Sequence, residues 1–210
     1  MTGRRSGTIV AHPLPRCRGP AAAAATAVYS RSSEPVRFER DCDAVLVPQG
    51  EAVTLPAGSM GYITQALGGS WTVFVEGNLL RIAGKDADAI GKDPPAPIDL
   101  PEGASDDEVE TLVWSLLRTC FDPEIPINIV DLGLVYEASV VRREDGARRI
   151  VVRMTLTAPA CGMGDILVDD VRDKLERIPT VADVDVELVF DPPWTREMMS
   201  EAARLETGML

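Results

Sequence analysis

Four prolines in a short stretch limit what this chain can fold into. It reads Asp93-Pro94-Pro95-Ala96-Pro97, with Pro101 just beyond. Proline has no N–H to give to a sheet ladder and stiffens the backbone, so the stretch cannot run through a sheet. Residues 93–103 therefore read as a linker between two units. A chain of 210 residues has room for two small domains, and enough length to bury a core without disulfides or a structural metal.

Before the linker, residues 38–92 show short apolar runs at 45–47, 51–55, 62–66, 71–75 and 79–82, parted by turn residues. Examples are Pro48-Gln49-Gly50, Pro56-Ala57-Gly58 and Gly68-Gly69-Ser70. This predicts five strands in a small all-β, barrel-like domain. After the linker, residues 104–207 mix helices with strands. Ser105 and Glu108 form a capping box, followed by Val109, Leu112, Val113, Leu116 and Leu117 at helical spacing. Residues 134–141 and 149–156 read as strands joined through Asp145-Gly146. Val168, Val171, Leu175 and Ile178 mark a second helix ending before Pro179. Val184, Val186, Leu188 and Phe190 alternate with acids as a third strand, and Thr195 is a cap for a short terminal helix through Met198, Ala202 and Leu205. The order αββαβα, with a βαβ crossover, predicts a three-stranded mixed sheet. The fold class is α+β.

Charge is spread unevenly over these parts. Residues 1–37 hold six arginines and one acid, while the whole chain has a net charge of −12. The leader also has few bulky apolar residues, so it reads as a disordered basic extension or an organelle address. The acidic remainder argues against a general nucleic-acid surface, which needs net Lys and Arg, and against polybasic membrane attachment. No run of 18 apolar residues is present. The expected location is the cytoplasm.

Three loops hold the unusual chemistry. The first, residues 121–135, contains Asp122, Glu124 and Asp131 between two prolines and Gly133. Its carboxylates suit a hard metal or acid–base work, or else simply shape the turns. The second, Thr157-Ala158-Pro159-Ala160-Cys161-Gly162-Met163-Gly164, places Cys161 beside an expected helix N-terminus, where a thiolate is favoured. A small buried residue in a tight turn is the alternative. The third, Asp191-Pro192-Pro193-Trp194-Thr195, offers Trp194 either to the edge that holds the other loops or to the core. No C-x-x-C occurs among Cys17, Cys42, Cys120 and Cys161, so a self-contained four-thiolate site from one chain is not expected. Cys120 reads as a core residue and Cys42 as an exposed one. A cysteine hydrolase would need a histidine base, and the sole histidine, His12, lies in the leader.

Asp122-Pro123-Glu124-Ile125-Pro126, Asp131-Leu132-Gly133-Leu134-Val135, Thr157-x-Pro159-x-Cys161 and Pro193-Trp194, in that order, resemble the metal–sulfur cluster biosynthesis (PaaD-like) domain family. In the front unit, residues 63–70 and the stretch from Arg81 to Ala89 resemble the additional domain of its SufT-type members. The resemblance implies an accessory factor for iron–sulfur protein maturation, not an enzyme. It further implies that Cys161 binds iron or a cluster transiently, with Asp122, Glu124, Asp131, Thr157 and Trp194 shaping the pocket and no cofactor held tightly. The expected partners are an assembly scaffold and client apoproteins. A homodimer could share a bridging cluster through two copies of Cys161. The competing reading is an acidic interaction module that docks scaffold and clients without binding a cluster.

Overall fold

Alternating apolar residues on either side of the prolines resolve into two sheets. The computed structural model describes residues 33–122, 125–157 and 164–208. The leader over 1–32 lies outside these.

The first sheet has six strands: β1 (Glu34–Arg37), β2 (Cys42–Val47), β3 (Ala52–Leu55), β4 (Met60–Leu67), β5 (Ser70–Val75) and β6 (Asn78–Ile82). Neighbours pair antiparallel in the order β1-β4-β5-β6-β2-β3. This corrects the expectation of a five-stranded, barrel-like unit in three ways. Residues 34–37, expected in the leader, form β1 because Val36 is buried between exposed neighbours and pairs with Gly61 of β4. The hydrogen-bonded order is open, with β1 and β3 at the two edges, so among the described residues no ladder closes a barrel. Finally, Gly84–Ile90 is a 3-10 helix. It buries only Ala87, Ala89 and Ile90, and is pinned by ion pairs from Arg40 to Asp86 (3.0 Å) and Asp88 (2.5 Å). So small an apolar face leaves no helical periodicity to read. One face of the sheet packs Phe38, Leu55, Val73, Leu80 and Ile82 into a core.

The second sheet agrees with the expected αββαβα order. Helix α1 (Asp106–Leu117) starts with the full capping box: Ser105 Oγ accepts from Glu108 N–H at 3.2 Å, and Glu108 Oε2 accepts from Ser105 N–H at 2.7 Å. Strands β7 (Val135–Arg142) and β8 (Arg148–Met154) are antiparallel. Helix α2 (Gly164–Leu175) then crosses over to β9 (Val181–Leu188), which runs parallel to β8. Val109, Val113 and Leu117 of α1, Leu167, Val171 and Leu175 of α2, and Ile150, Val152 and Met154 of β8 form one core. The opposite face of the sheet is polar. There Arg149 pairs with Asp183 and Asp185, and Arg153 with Glu137 and Glu187.

The terminal helix differs from expectation. Thr195 makes no capping bond; a short 3-10 turn (Arg196–Met198) is broken by extended Met199, and α3 (Glu201–Glu206) restarts with Ser200 Oγ accepting from Ala203 N–H at 3.2 Å. The proline linker is docked along its length. Pro95 lies against Gly69 and Gly84, Ala96 O accepts from Arg177 at 2.5 Å, and Ile98 and Leu100 pack on the second core. The first sheet also meets the end of α1 directly at the β4–β5 turn. Gly68 there has φ +58°, and a Cβ would stand 1.7 Å from the Thr119 carbonyl oxygen, so only glycine allows this approach.

Candidate functional site

The loop after α1 is built from short-range hydrogen bonds. Phe121 and Asn128 form an isolated antiparallel bridge, and Asp122 N–H donates to Ile127 O at 3.1 Å. Asp122 is buried, and its carboxylate accepts from Ile125 N–H at 2.9 Å, which is the turn expected before Pro123. At the other end, the backbone-capping role expected of Asp131 belongs to Asn128. Its Oδ1 accepts from Val130 N–H (3.1 Å) and Asp131 N–H (2.9 Å), and its Nδ2 donates to Asp131 Oδ2 at 2.5 Å. The spacing Asn128-x-x-Asp131 was the signal for this, an Asx turn closed by a carboxylate.

The first and third loops come together. Trp194 Nε1 donates to Leu132 O at 2.8 Å, Tyr136 Oη donates to Pro192 O at 2.8 Å, and Ser200 N–H donates to Asp131 O at 2.8 Å. Gly133, φ +70°, permits the contact, since a Cβ there would sit 2.2 Å from Met198 O. Trp194 is thus both a packing residue against the second core and a brace on the Asp131 loop.

The second loop starts at the same edge. Thr155 N–H donates to Leu134 O at 2.8 Å, and Thr157 follows, half-buried. Leu156 lies against Gly164, where α2 begins. Cys161 and Glu124 lie outside the described residues. Thr155 is 1% exposed, and its hydroxyl has no hydrogen-bond partner among the described residues. An orphaned buried hydroxyl is costly, and this one stands two residues before Thr157.

A cavity of about 250 Å³ opens between the six-stranded sheet and the loop after α1. Its walls include Thr64, Gln65, Thr72 and Arg81 from the first sheet and Phe121 and Asp122 from that loop. Among the expected pocket residues that are described, Asp122 lines this cavity, whereas Asp131, Thr157 and Trp194 do not. Sequence reasoning missed the first-sheet wall, because residues from separate units carry no local signal of meeting.

The two described cysteines are sealed. Cys42, expected to be exposed, is fully buried because β2 turns it into the first core; burial pushes its thiol up to about 11. Cys120 is buried at the end of α1, and burial, aided by Asp170, pushes it up to about 12. Both are neutral thiols at physiological pH, poor as nucleophiles or metal ligands. Among the described residues, no three Cys, His, Asp or Glu side chains converge into a metal-holding group.

Comparison with known proteins gives this arrangement a family. The model of the iron–sulfur cluster assembly protein family matches residues 110–188, from within α1 to the end of β9. An Fe-S protein maturation auxiliary factor of Porphyromonas gingivalis is 46% identical over 103 residues, which is 94% of its length and 49% of this chain. The chain belongs to the iron–sulfur cluster assembly protein family. Two further relatives agree. YitW, an Fe-S protein maturation auxiliary factor of Bacillus subtilis, is 40% identical over 97 residues, 91% of its length and 46% of this chain. The SufT auxiliary factor of Staphylococcus aureus is 43% identical over 88 residues, 96% of its length and 42% of this chain. The SufT-type resemblance of the motifs is thereby sustained. The family match begins at residue 110, beyond the six-stranded sheet, which makes that sheet an addition to the family unit.

Proposed function

We propose that this family member is an auxiliary factor of iron–sulfur protein maturation, which passes a cluster or iron from an assembly scaffold to client apoproteins through Cys161 and performs no catalysis of its own. The observation that carries the reading is the state of the thiols. Cys42 and Cys120 are locked in cores as neutral thiols, and Cys17 lies in the leader, which leaves Cys161 in the family-matched half. The names of the matched relatives support the accessory role.

One thiolate among carboxylates suits cargo that must be released. A soft sulfur ligand holds iron firmly, whereas oxygen ligands such as Asp122, Glu124 or Asp131 exchange readily. Thr157 and Trp194 then shape the surroundings, the first beside the loop and the second by holding Leu132 in place. Two chains that each present Cys161 would complete a bridging site and form a homodimer around the cargo. No described helix is long and apolar enough to cross a membrane, in keeping with work in the cytoplasm.

Anaerobic reconstitution with ferrous iron and sulfide tests this. Sulfur-to-iron charge-transfer absorption is expected in the wild type and in Cys42→Ala and lost in Cys161→Ala, along with transfer to an apo-aconitase. Client activation that persists in Cys161→Ala without iron binding would instead establish the acidic interaction module.

A further inference from the structure

Strand register gives the cavity beside the loop after α1 a floor with a polar row and an apolar row. Thr72 of β5 pairs with Gln65 of β4 on one flank and with Arg81 of β6 on the other, so three polar side chains stand abreast on one face. Two residues back along β6, Leu79 pairs with Val47 of β2 on the same face. All five line the cavity, and Phe121 and Asp122 of the loop complete it. The polar row is not saturated by the protein itself. The Thr72 carbonyl accepts from Thr64 Oγ1 at 3.1 Å, but among the described residues the Thr72 hydroxyl and the Gln65 side-chain amide have no hydrogen-bond partner.

Charges of both signs stand at this cavity. Arg81 Nη2 pairs with Asp170 at 2.7 Å and approaches Ser70 Oγ at 3.3 Å, and Nη1 lies 3.4 Å from Ile166 O, a long contact. Lys174 Nζ is 2.9 Å from the same Asp170, so one acid serves two cations. On the loop, Asp122 accepts from Ile125 N–H at 2.9 Å, and the two oxygens of a carboxylate have room for further donors. The formal charges of Arg81, Lys174, Asp170 and Asp122 cancel. A ligand with a net charge would leave one ion unpaired away from water, which is costly. A ligand that carries one charge of each sign would not.

We propose that this cavity is a binding site for a free amino acid with a small apolar side chain. The carboxylate takes the donors of Gln65, Thr72 and Arg81, the ammonium faces Asp122, and the side chain lies over Val47 and Leu79. The size agrees: a cavity of about 150 Å³ holds a benzene-sized molecule, so one of about 250 Å³ holds about ten non-hydrogen atoms, enough for valine. Gln65, Thr72 and Arg81 all precede residue 110, where the match to the family begins, so the site belongs to the additional sheet and not to the shared unit. It needs neither iron nor Cys161 and does not rest on the carrier reading.

Isothermal titration calorimetry of the iron-free full chain with L-valine, L-valinamide and isovalerate tests it. Valine is expected to bind. Valinamide, which lacks the carboxylate, and isovalerate, which lacks the ammonium, should bind about tenfold or more weakly, as loss of a charge-assisted hydrogen bond implies. Arg81→Met should weaken valine by a similar factor. Thr72→Val, which keeps the shape of the strand residue and removes the hydroxyl, should weaken it about fivefold and keeps the test open if Arg81→Met does not fold. Isovalerate or valinamide that binds as tightly as valine overturns the assignment to an amino acid. Valine affinity unchanged in the folded variants overturns the site. No heat from valine, alanine or leucine at about 10 mM overturns the proposal as a whole.

Discussion

Single residues carry the clearest tests. Thr155 buries a hydroxyl without a partner among the described residues, and valine has its shape without that group. Thr155→Val is expected to raise unfolding stability by about 1 kcal/mol in urea titrations, because the orphaned group no longer loses its water. A lower midpoint would show that the hydroxyl is satisfied. Cys42 and Cys120 should resist iodoacetamide in the native protein and react only after unfolding, as counted by mass spectrometry. Their raised values also fix a sign. An unfolded thiol ionises near about 8.5, so the folded state keeps these protons longer, and stability is level below that pH. It then falls as pH rises toward about 11 and about 12, the folded values of Cys42 and Cys120. At this scale Asp122 and Cys120 were legible, since a turn before proline and a thiol at a helix end are local facts. Asn128 was overshadowed by its acidic neighbour. Arg81 could not be found, because its partner Asp170 is remote in sequence and exposed charges read the same as buried ones.

Elements were legible where one face is wide and apolar. Helix α1 announced both its cap and its stripe, β9 its alternation, and β7 and β8 the Asp145-Gly146 turn between them. Strand β1 and the 3-10 helix at Gly84–Ile90 were missed because Val36 is the lone buried residue of the first and small alanines fill the second. The capping box makes a measurable difference: Ser105→Ala should lower stability by about 1 kcal/mol in a denaturant melt, with Ser105→Gly closer to wild type. Acid should weaken several elements together. The guanidinium groups of Arg142 and then Arg148 hold Asp106 below the usual carboxylate range, the Ser105 N–H does the same for Glu108, and Arg40 for Asp88. Carboxylates lowered by folding stabilise the native state above their unfolded values. That contribution is lost as pH falls below about 4, and a melt series from pH 6 to pH 3 reads it as a falling midpoint.

At the scale of the molecule, the sequence marked a run of prolines between the strands of the first sheet and those of the second, but not what that run does. Proline composition identifies a stiff connection, but not what the connection lies against. Pro95 rests on Gly69 and Gly84, Ala96 is held by Arg177, and Ile98 and Leu100 pack against the second core. The connection therefore works as a ruler. It delivers the two sheets to each other at one spacing, the one at which Gly68 meets Thr119 and Arg81 meets Asp170. Two glycines inserted after Ala96 should leave each sheet able to fold and separate one cooperative calorimetric transition into two. Chain length between the sheets, and not only the residues where they touch, is then part of what specifies this molecule.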